Sequence, residues 1–330
     1  MCFQVLCNSK STLVKGACGV GLGFSCQVLL TRVDTTDDSD LDEETNKTSE
    51  ADLLGKIVST LLLMISQFTR SSPDTMDSLF AYFPPSNYGV DANMNDELSH
   101  ENGDELEEDI WGVAGVVIGL ASSIGAIYRA GLHDAVLKMK GLIVSWIPHV
   151  SSLVYYSGSD PEDSGILLAV GSSLALPSIV AFCQRMELMD VKEVEQLMNG
   201  YRELISELVS VKKSGIFHQS LLMSSCIGAG NLLACILNEG VLSVEVQSVK
   251  ALLELFRNCY SNPHPPLVHL GAMLGVVNSM GADAGILFQM HPHTMTLSAN
   301  YEKKVYIFAF ILWLFLYVVM FSHCHLGSYF

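Results

Sequence analysis

The sequence repeats a pattern in which two small residues, separated by three positions, lie within a run that is almost free of charge. Small side chains one helical turn apart let the backbone of a neighbouring helix approach closely. The last four of the five copies begin 56, 53 and 47 residues apart. The pairs are Ala17 and Gly21, Gly115 and Gly119, Gly171 and Ala175, Ser224 and Gly228, and Gly271 and Gly275. Such spacing is typical of helical-repeat arrays of the HEAT or armadillo kind.

Segments of a different character separate the later copies. After Asp190 the chain reads VKEVEQLMNGYRELISELVSVKK, with apolar residues every three to four positions and charges on the other face. Asp190 and Glu193 form a capping box that marks the start of a helix. The segment VEVQSVKALLELFRNCY repeats this arrangement before three prolines within residues 263–266 interrupt the chain. The alternation predicts an all-α fold, an armadillo or HEAT-like helical-repeat solenoid over residues 110–291.

The stretch IWGVAGVVIGLASSIGAIYR has no charged residue before Arg129 and also has the composition of a membrane span. Small residues spaced by four mark helix contacts in membrane bundles too. However, the intervening helices carry charges every few residues, and the loops show no Lys or Arg asymmetry. The favoured interpretation of residues 12–291 is therefore a soluble solenoid.

The net charge of -17 is concentrated in two runs, residues 34–50 and 91–109. Both are poor in apolar residues, so we expect two acidic, disordered loops that keep the array soluble or bind a basic partner. Only 18 Lys and Arg are present and they form no basic stripe, which argues against direct nucleic-acid binding. The nine cysteines form no C-x-x-C pair, and the N-terminus resembles no secretory signal. These features predict a reducing, cytoplasmic location.

Motifs that would indicate an enzyme are missing from the sequence. The glycines of residues 19–23 resemble the start of a dinucleotide fingerprint, but no strand precedes them, so we interpret them as packing residues. Two short groups, His291 with His293 and residues 323–325, have the side-chain types that bind metals. Neither has a matching second cluster to complete a site. We therefore predict no catalytic, cofactor-binding or metal residues, no cofactor and no small-molecule substrate.

From Trp111 to Pro292 the sequence resembles the C-terminal part of the focadhesin family, and its plant branch is the nearer match. The resemblance lies in GVAGVVIGLASSIGAIYRAG, ELMDVKEVEQLMNGYRELISELVSVKKSGIFHQSLLMSSCIGAG, LLACILNEG and NPHPPLVHLGAMLGVVNSMGADAGILFQMHP. It implies that this chain is a fragment of a large armadillo or HEAT-like scaffold. The family implies a non-catalytic bridge between the cytoplasmic RNA exosome and the Ski complex in RNA decay. It also implies plant roles in limiting transcript silencing, in cuticular wax formation and in embryo development.

Beyond Pro292 the resemblance stops, and the segment VYIFAFILWLFLYVVMF follows. Its 17 uncharged residues are just long enough for a membrane span. A tail anchor, a final capping helix and a translated intron in a mispredicted gene model all remain open, and the anchor would make this a tail-anchored membrane protein with a cytosolic solenoid. The predicted organisation is residues 1–33 (helical repeat portion), 34–50 (acidic loop), 51–90 (helical segment and linker), 91–109 (acidic loop), 110–291 (solenoid), 292–304 (linker) and 305–321 (hydrophobic tail).

Overall fold

A computed structural model describes residues 2–31, 40–67, 74–85, 103–148, 166–211, 215–238, 246–261 and 263–280. Within these ranges the chain forms helices and no β-strand, which confirms the predicted all-α class. The predicted amphipathic helix after Asp190 is also present, and the Asp190 carboxylate accepts a hydrogen bond from the Glu193 backbone N–H at 2.7 Å. Residues 281–330 lie outside the described ranges, and with them the 292–304 linker, the 305–321 segment and the histidines between 291 and 325.

Five helices that carry the small-residue pairs pack side by side, and we call them the small-residue layer. They are α2 (Thr12–Ser25), α5 (Gly103–Ser122), α8 (Ile166–Arg185), α10 (Ile216–Asn238) and α12 (Pro266–Met280). Each helix contacts the next in this order. Small residues at the contacts let the backbones of neighbouring helices come close. This close packing compensates for the low helix propensity of glycine.

All five helices of the layer run in the same direction. Between α8 and α10, Ser173 lies beside Gly228, and further along both helices Gln184 meets the Cys235 thiol. Contacts in the other interfaces also advance together along both helices. They are Gly16 with Gly112 and Gly23 with Gly119, then Ala114 with Gly171, and last Met223 with Gly271 and Cys226 with Gly275. Tyr128, which lies beyond α5 in the same helical stretch Glu107–Arg129, meets Phe182 further along α8. Parallel neighbours require a return segment between them.

The remaining helices precede, continue or connect the helices of the layer. They are α1 (Cys2–Asn8), α3 (Asp40–Ser66), α4 (Asp74–Phe80), α6 (Ile124–Arg129), α7 (His133–Ser145), α9 (Val191–Ser210) and α11 (Val246–Ser261). Only residues 186–190 link α8 to α9, so the chain reverses there. The α11 helix runs antiparallel to α12, because Tyr260 faces His269 while Phe256 reaches Gly275 further along α12.

Among the residues that the structure describes, three helical stretches are long and apolar enough to cross a membrane, judged by length and composition alone. They are Glu107–Arg129, Leu167–Arg185 and Ile216–Ile236. Between 67% and 78% of their most apolar windows is buried inside the protein. Because the helices that contain these stretches are parallel, each return segment would also have to cross, and α9 carries six charged side chains. A membrane arrangement of this fold would therefore have to place those charges in lipid.

The prediction that both acidic runs are loops was wrong for part of each run. Residues 40–50 belong to α3 and residues 103–109 belong to α5, whereas residues 34–39 and 91–102 lie outside the described ranges. Extending an existing helix requires no new nucleus, so apolar turns that pack on the layer carry the helix into acidic sequence. The Glu50 carboxylate also accepts a hydrogen bond from the Leu30 N–H at 2.7 Å, which fixes this end of the acidic run.

Candidate functional site

The contact between α2 and α5 is made by glycine backbones. Gly16, Gly19 and Gly23 on α2 have the same three-then-four spacing as Gly112, Gly115 and Gly119 on α5. A methyl group on Gly119 would lie 2.1 Å from the carbonyl oxygen of Gly19. The two helices are thus closer than any larger side chain allows, and of the glycines predicted to serve packing, Gly19 and Gly23 do so.

The predicted pair Ala17 and Gly21 does not make this contact. Ala17 is exposed, and a methyl group on Gly21 would meet no atom within 4 Å. The prediction was wrong for α2 because the helix contains several small residues and only one face of it meets α5. The pairs on α5, α8, α10 and α12 are all buried, and their glycines lie against a neighbouring helix.

The α10 helix is held on two sides. On one side, Gly228 lies against the backbone of Ser173 in α8, and on the other, Gly230 lies against Gly275 in α12. The hydroxyl of Tyr201, on α9, donates a hydrogen bond to the Ser173 carbonyl at 2.6 Å. Tyr201 is fully buried, and burial raises the pKa of its hydroxyl. One side chain thereby joins the covering helix α9 to two helices of the layer.

The Arg129 guanidinium binds backbone carbonyl groups where α2 ends and the short 3-10 helix Cys26–Val28 follows it. It donates hydrogen bonds to the carbonyl oxygens of Cys26 at 3.3 Å, Gln27 at 2.8 Å and Leu29 at 3.0 Å. Carbonyls at a helix end have no partner within the helix, so an arginine fork can satisfy several of them at once. This links segments about a hundred residues apart in the chain.

Replacing Arg129 by lysine is expected to lower the free energy of unfolding by about 1–2 kcal/mol, because one ammonium group cannot reach three carbonyls in fork geometry. Urea unfolding followed by circular dichroism measures the change. The control is Arg257→Lys, since Arg257 pairs with Glu254 at the surface and such pairs contribute little. Equal effects of the two substitutions would show that Arg129 does not cap this helix end.

Titratable groups inside the fold include one ion pair that joins two helices and several whose pKa is shifted by burial. The Lys140 ammonium on α7 pairs with the Glu193 carboxylate on α9 at 2.6 Å. Burial raises the pKa of the nearby Cys183 thiol to about 11. Burial also lowers the pKa of His218, against the opposing effect of Glu207. Among the described residues no three His, Cys, Asp or Glu side chains come together as metal ligands.

Exposed apolar side chains cluster on the side of α2 that faces away from α5. We call this surface the α2 outer face; its members are Leu13, Val14, Ala17, Gly21 and Phe24 on α2 and Val28 at the end of the 3-10 helix that follows. Phe24 is 52% exposed and Val28 is 70% exposed. A contiguous group of exposed apolar residues is more typical of a protein contact surface than single exposed residues are. The α2 outer face is therefore the candidate contact surface for a protein partner.

Comparisons with known proteins found no relative of this chain. No protein-family model, curated protein or solved structure matches the chain. The resemblance to the focadhesin family thus stays a prediction that rests on the residues that carry it.

Proposed function

We propose that the chain is a non-catalytic scaffold built as an armadillo or HEAT-like helical-repeat solenoid. The observation that carries this proposal is the parallel small-residue layer with antiparallel covering helices. In α9 with α10, and again in α11 with α12, an amphipathic helix is followed by a small-residue helix. Stacking such units buries a continuous core and leaves extended surfaces, which is how solenoids bind partners.

Within this proposal the partners are proteins. The family resemblance favours the RNA exosome and the Ski complex, bridged in cytoplasmic RNA decay, with plant roles in limiting silencing, in cuticular wax formation and in embryo development. Two properties of the chain are consistent with protein binding: the apolar α2 outer face and a net charge of -17, which suits a basic surface on a partner. No direct contact with RNA is part of the proposal.

The bridging role is tested by co-elution of purified exosome and Ski complex with and without the full chain. We expect the chain to bring both complexes into one peak, and the double variant Leu13→Glu/Phe24→Glu to weaken this at least tenfold. The matched control is Met186→Glu, an exposed apolar residue outside the α2 outer face. Failure of the wild-type chain to bind either complex would reject these partners. If the wild-type chain binds and neither Leu13→Glu/Phe24→Glu nor Met186→Glu changes the binding, the α2 outer face is rejected as the contact surface, and the bridging role is not.

A second candidate is a tail-anchored membrane protein whose solenoid faces the cytosol. The uncharged 305–321 segment is the proposed anchor, because its 17 residues are just long enough for a membrane span. Extraction of cell membranes with alkaline salt and then with detergent separates the two candidates. A cytoplasmic scaffold is released by salt. A chain that needs detergent, and that becomes salt-soluble when residues 305–321 are deleted, is anchored by its tail.

A further inference from the structure

The α2 outer face has the spacing of a helix contact along the length of α2. Its residues recur at steps of three and four, which keeps them on one stripe of the helix. They are Val14, Ala17, Gly21 and Phe24, with Leu13 beside them and Val28 just beyond in the 3-10 helix. The opposite side of α2 meets α5 through Gly16, Gly19 and Gly23, which follow the same steps. The α2 helix therefore carries two helix-contact patterns, and the described part of the chain occupies one of them.

Gly21, at the centre of the stripe, has no neighbour to pack against among the described residues. A methyl group on it would meet no atom within 4 Å, whereas a methyl group on Gly23 would collide with the backbone of Gly119. A glycine inside a helix lowers its stability by about 1 kcal/mol relative to alanine. At Gly23 the close contact with α5 offsets this loss. A second helix packed on the α2 outer face would do the same for Gly21.

The α2 outer face is also the open edge of the small-residue layer. The α10 helix has a layer neighbour on each side, at Gly228 and at Gly230, whereas α2 has one such neighbour, α5, within the described ranges. Nine large apolar side chains in these ranges are exposed, and four of them lie on this face: Leu13, Val14, Phe24 and Val28. Because the face continues the contacts of the layer, it fits another uncharged helix that has small residues four positions apart.

We propose that two copies of the chain meet through their α2 outer faces, with the two α2 helices antiparallel. The face is complementary to itself in this arrangement. Ala17 lies opposite Gly21 of the second copy, and Phe24 lies opposite Val14 of the second copy. Small residues at the centre let the two backbones approach, and the larger side chains at both ends close the contact.

Charges and dipoles favour the antiparallel arrangement. The stripe holds no charged residue, and Lys15, the one charged residue of α2, lies on another side of the helix by its position in the turn. Antiparallel helix dipoles attract, whereas parallel dipoles side by side repel. One helix pair is a small interface, so we expect a weak dimer with a Kd in the micromolar range. This inference rests on the α2 outer face being a contact surface, as proposed above, and it holds whichever protein the scaffold binds.

The test is sedimentation velocity of the full chain alone, at concentrations across the micromolar range. We expect the wild-type chain to shift from monomer to dimer as its concentration rises. Gly21→Leu places a bulky side chain where the two helices are closest, so we expect it to weaken the dimer about tenfold. Gly21 has open space around it within the chain, so this variant should fold, and circular dichroism verifies that it does.

The matched control is Gly141→Leu, at an exposed glycine of α7 that also has open space around it. It should leave the dimer unchanged. A chain that stays monomeric throughout would overturn the proposal and leave the face to a helix of a different protein. Association that Gly21→Leu leaves unchanged or strengthens would also overturn it, since a larger apolar side chain promotes non-specific contact.

The same measurement separates this inference from the proposed partners. A chain that dimerises through the α2 outer face but binds neither the exosome nor the Ski complex would uphold the dimer and reject those partners. A monomeric chain that bridges the two complexes would do the reverse.

Discussion

Replacing Gly119 by alanine is expected to lower the free energy of unfolding by about 2–3 kcal/mol, as overpacking of a tight contact does. The added methyl group would lie 2.1 Å from the Gly19 carbonyl oxygen and 2.5 Å from its carbonyl carbon. These are backbone atoms, which cannot rotate away, so α2 and α5 must separate along their length. The loss outweighs the gain of about 1 kcal/mol that alanine brings to a helix interior. Urea unfolding measures the difference.

The control for this prediction is Gly21→Ala on α2, the helix that packs against α5, at a position outside their contact. Gly21 has open space around it, so only the helix propensity changes. We expect this substitution to raise the free energy of unfolding by about 0.5–1 kcal/mol. If Gly119→Ala were also neutral or stabilising, the backbone contact between α2 and α5 would not exist in solution.

Replacing Tyr201 by alanine is expected to lower the free energy of unfolding by about 3–5 kcal/mol, because it empties a fully buried site. Tyr201→Phe separates the two contributions of this side chain. It keeps the ring and removes only the hydroxyl that donates to the Ser173 carbonyl, so we expect a loss of about 1–2 kcal/mol. Thermal and urea unfolding of the three proteins measure both steps.

An exposed aromatic residue provides the comparison for Tyr201. Phe24 is 52% exposed, and Phe24→Ala should change the free energy of unfolding by no more than about 0.5 kcal/mol. A loss from Tyr201→Ala as small as that from Phe24→Ala would mean that α9 does not pack on α8 and α10 as described.

Local signals made much of the helix content predictable. The α9 helix begins at Val191 as expected, because Asp190 caps the free N–H of Glu193 and the apolar residues repeat with the period of a helix. The uncharged helices were also predictable, since glycines and serines within apolar runs tolerate close neighbours. These features depend on residues within one or two turns, so they can be read from the sequence.

Features set by distant neighbours could not be predicted. Each small-residue helix offers several faces with small residues, and only the position of α5 decides that α2 uses Gly16, Gly19 and Gly23. Arg129 caps a helix end about a hundred residues earlier, and no local pattern indicates that partner. The extension of α3 into acidic sequence likewise depends on packing of its apolar turns.

The single direction of the small-residue layer has an electrostatic consequence. Every helix is a dipole with partial positive charge at its N-terminus, and parallel dipoles side by side repel one another. Within a pair such as α11 and α12 the helices are antiparallel, so the two dipoles attract and their far fields largely cancel. Each added pair of helices therefore brings almost no net polarity, and an array of this kind can be lengthened without building up a potential between its two edges.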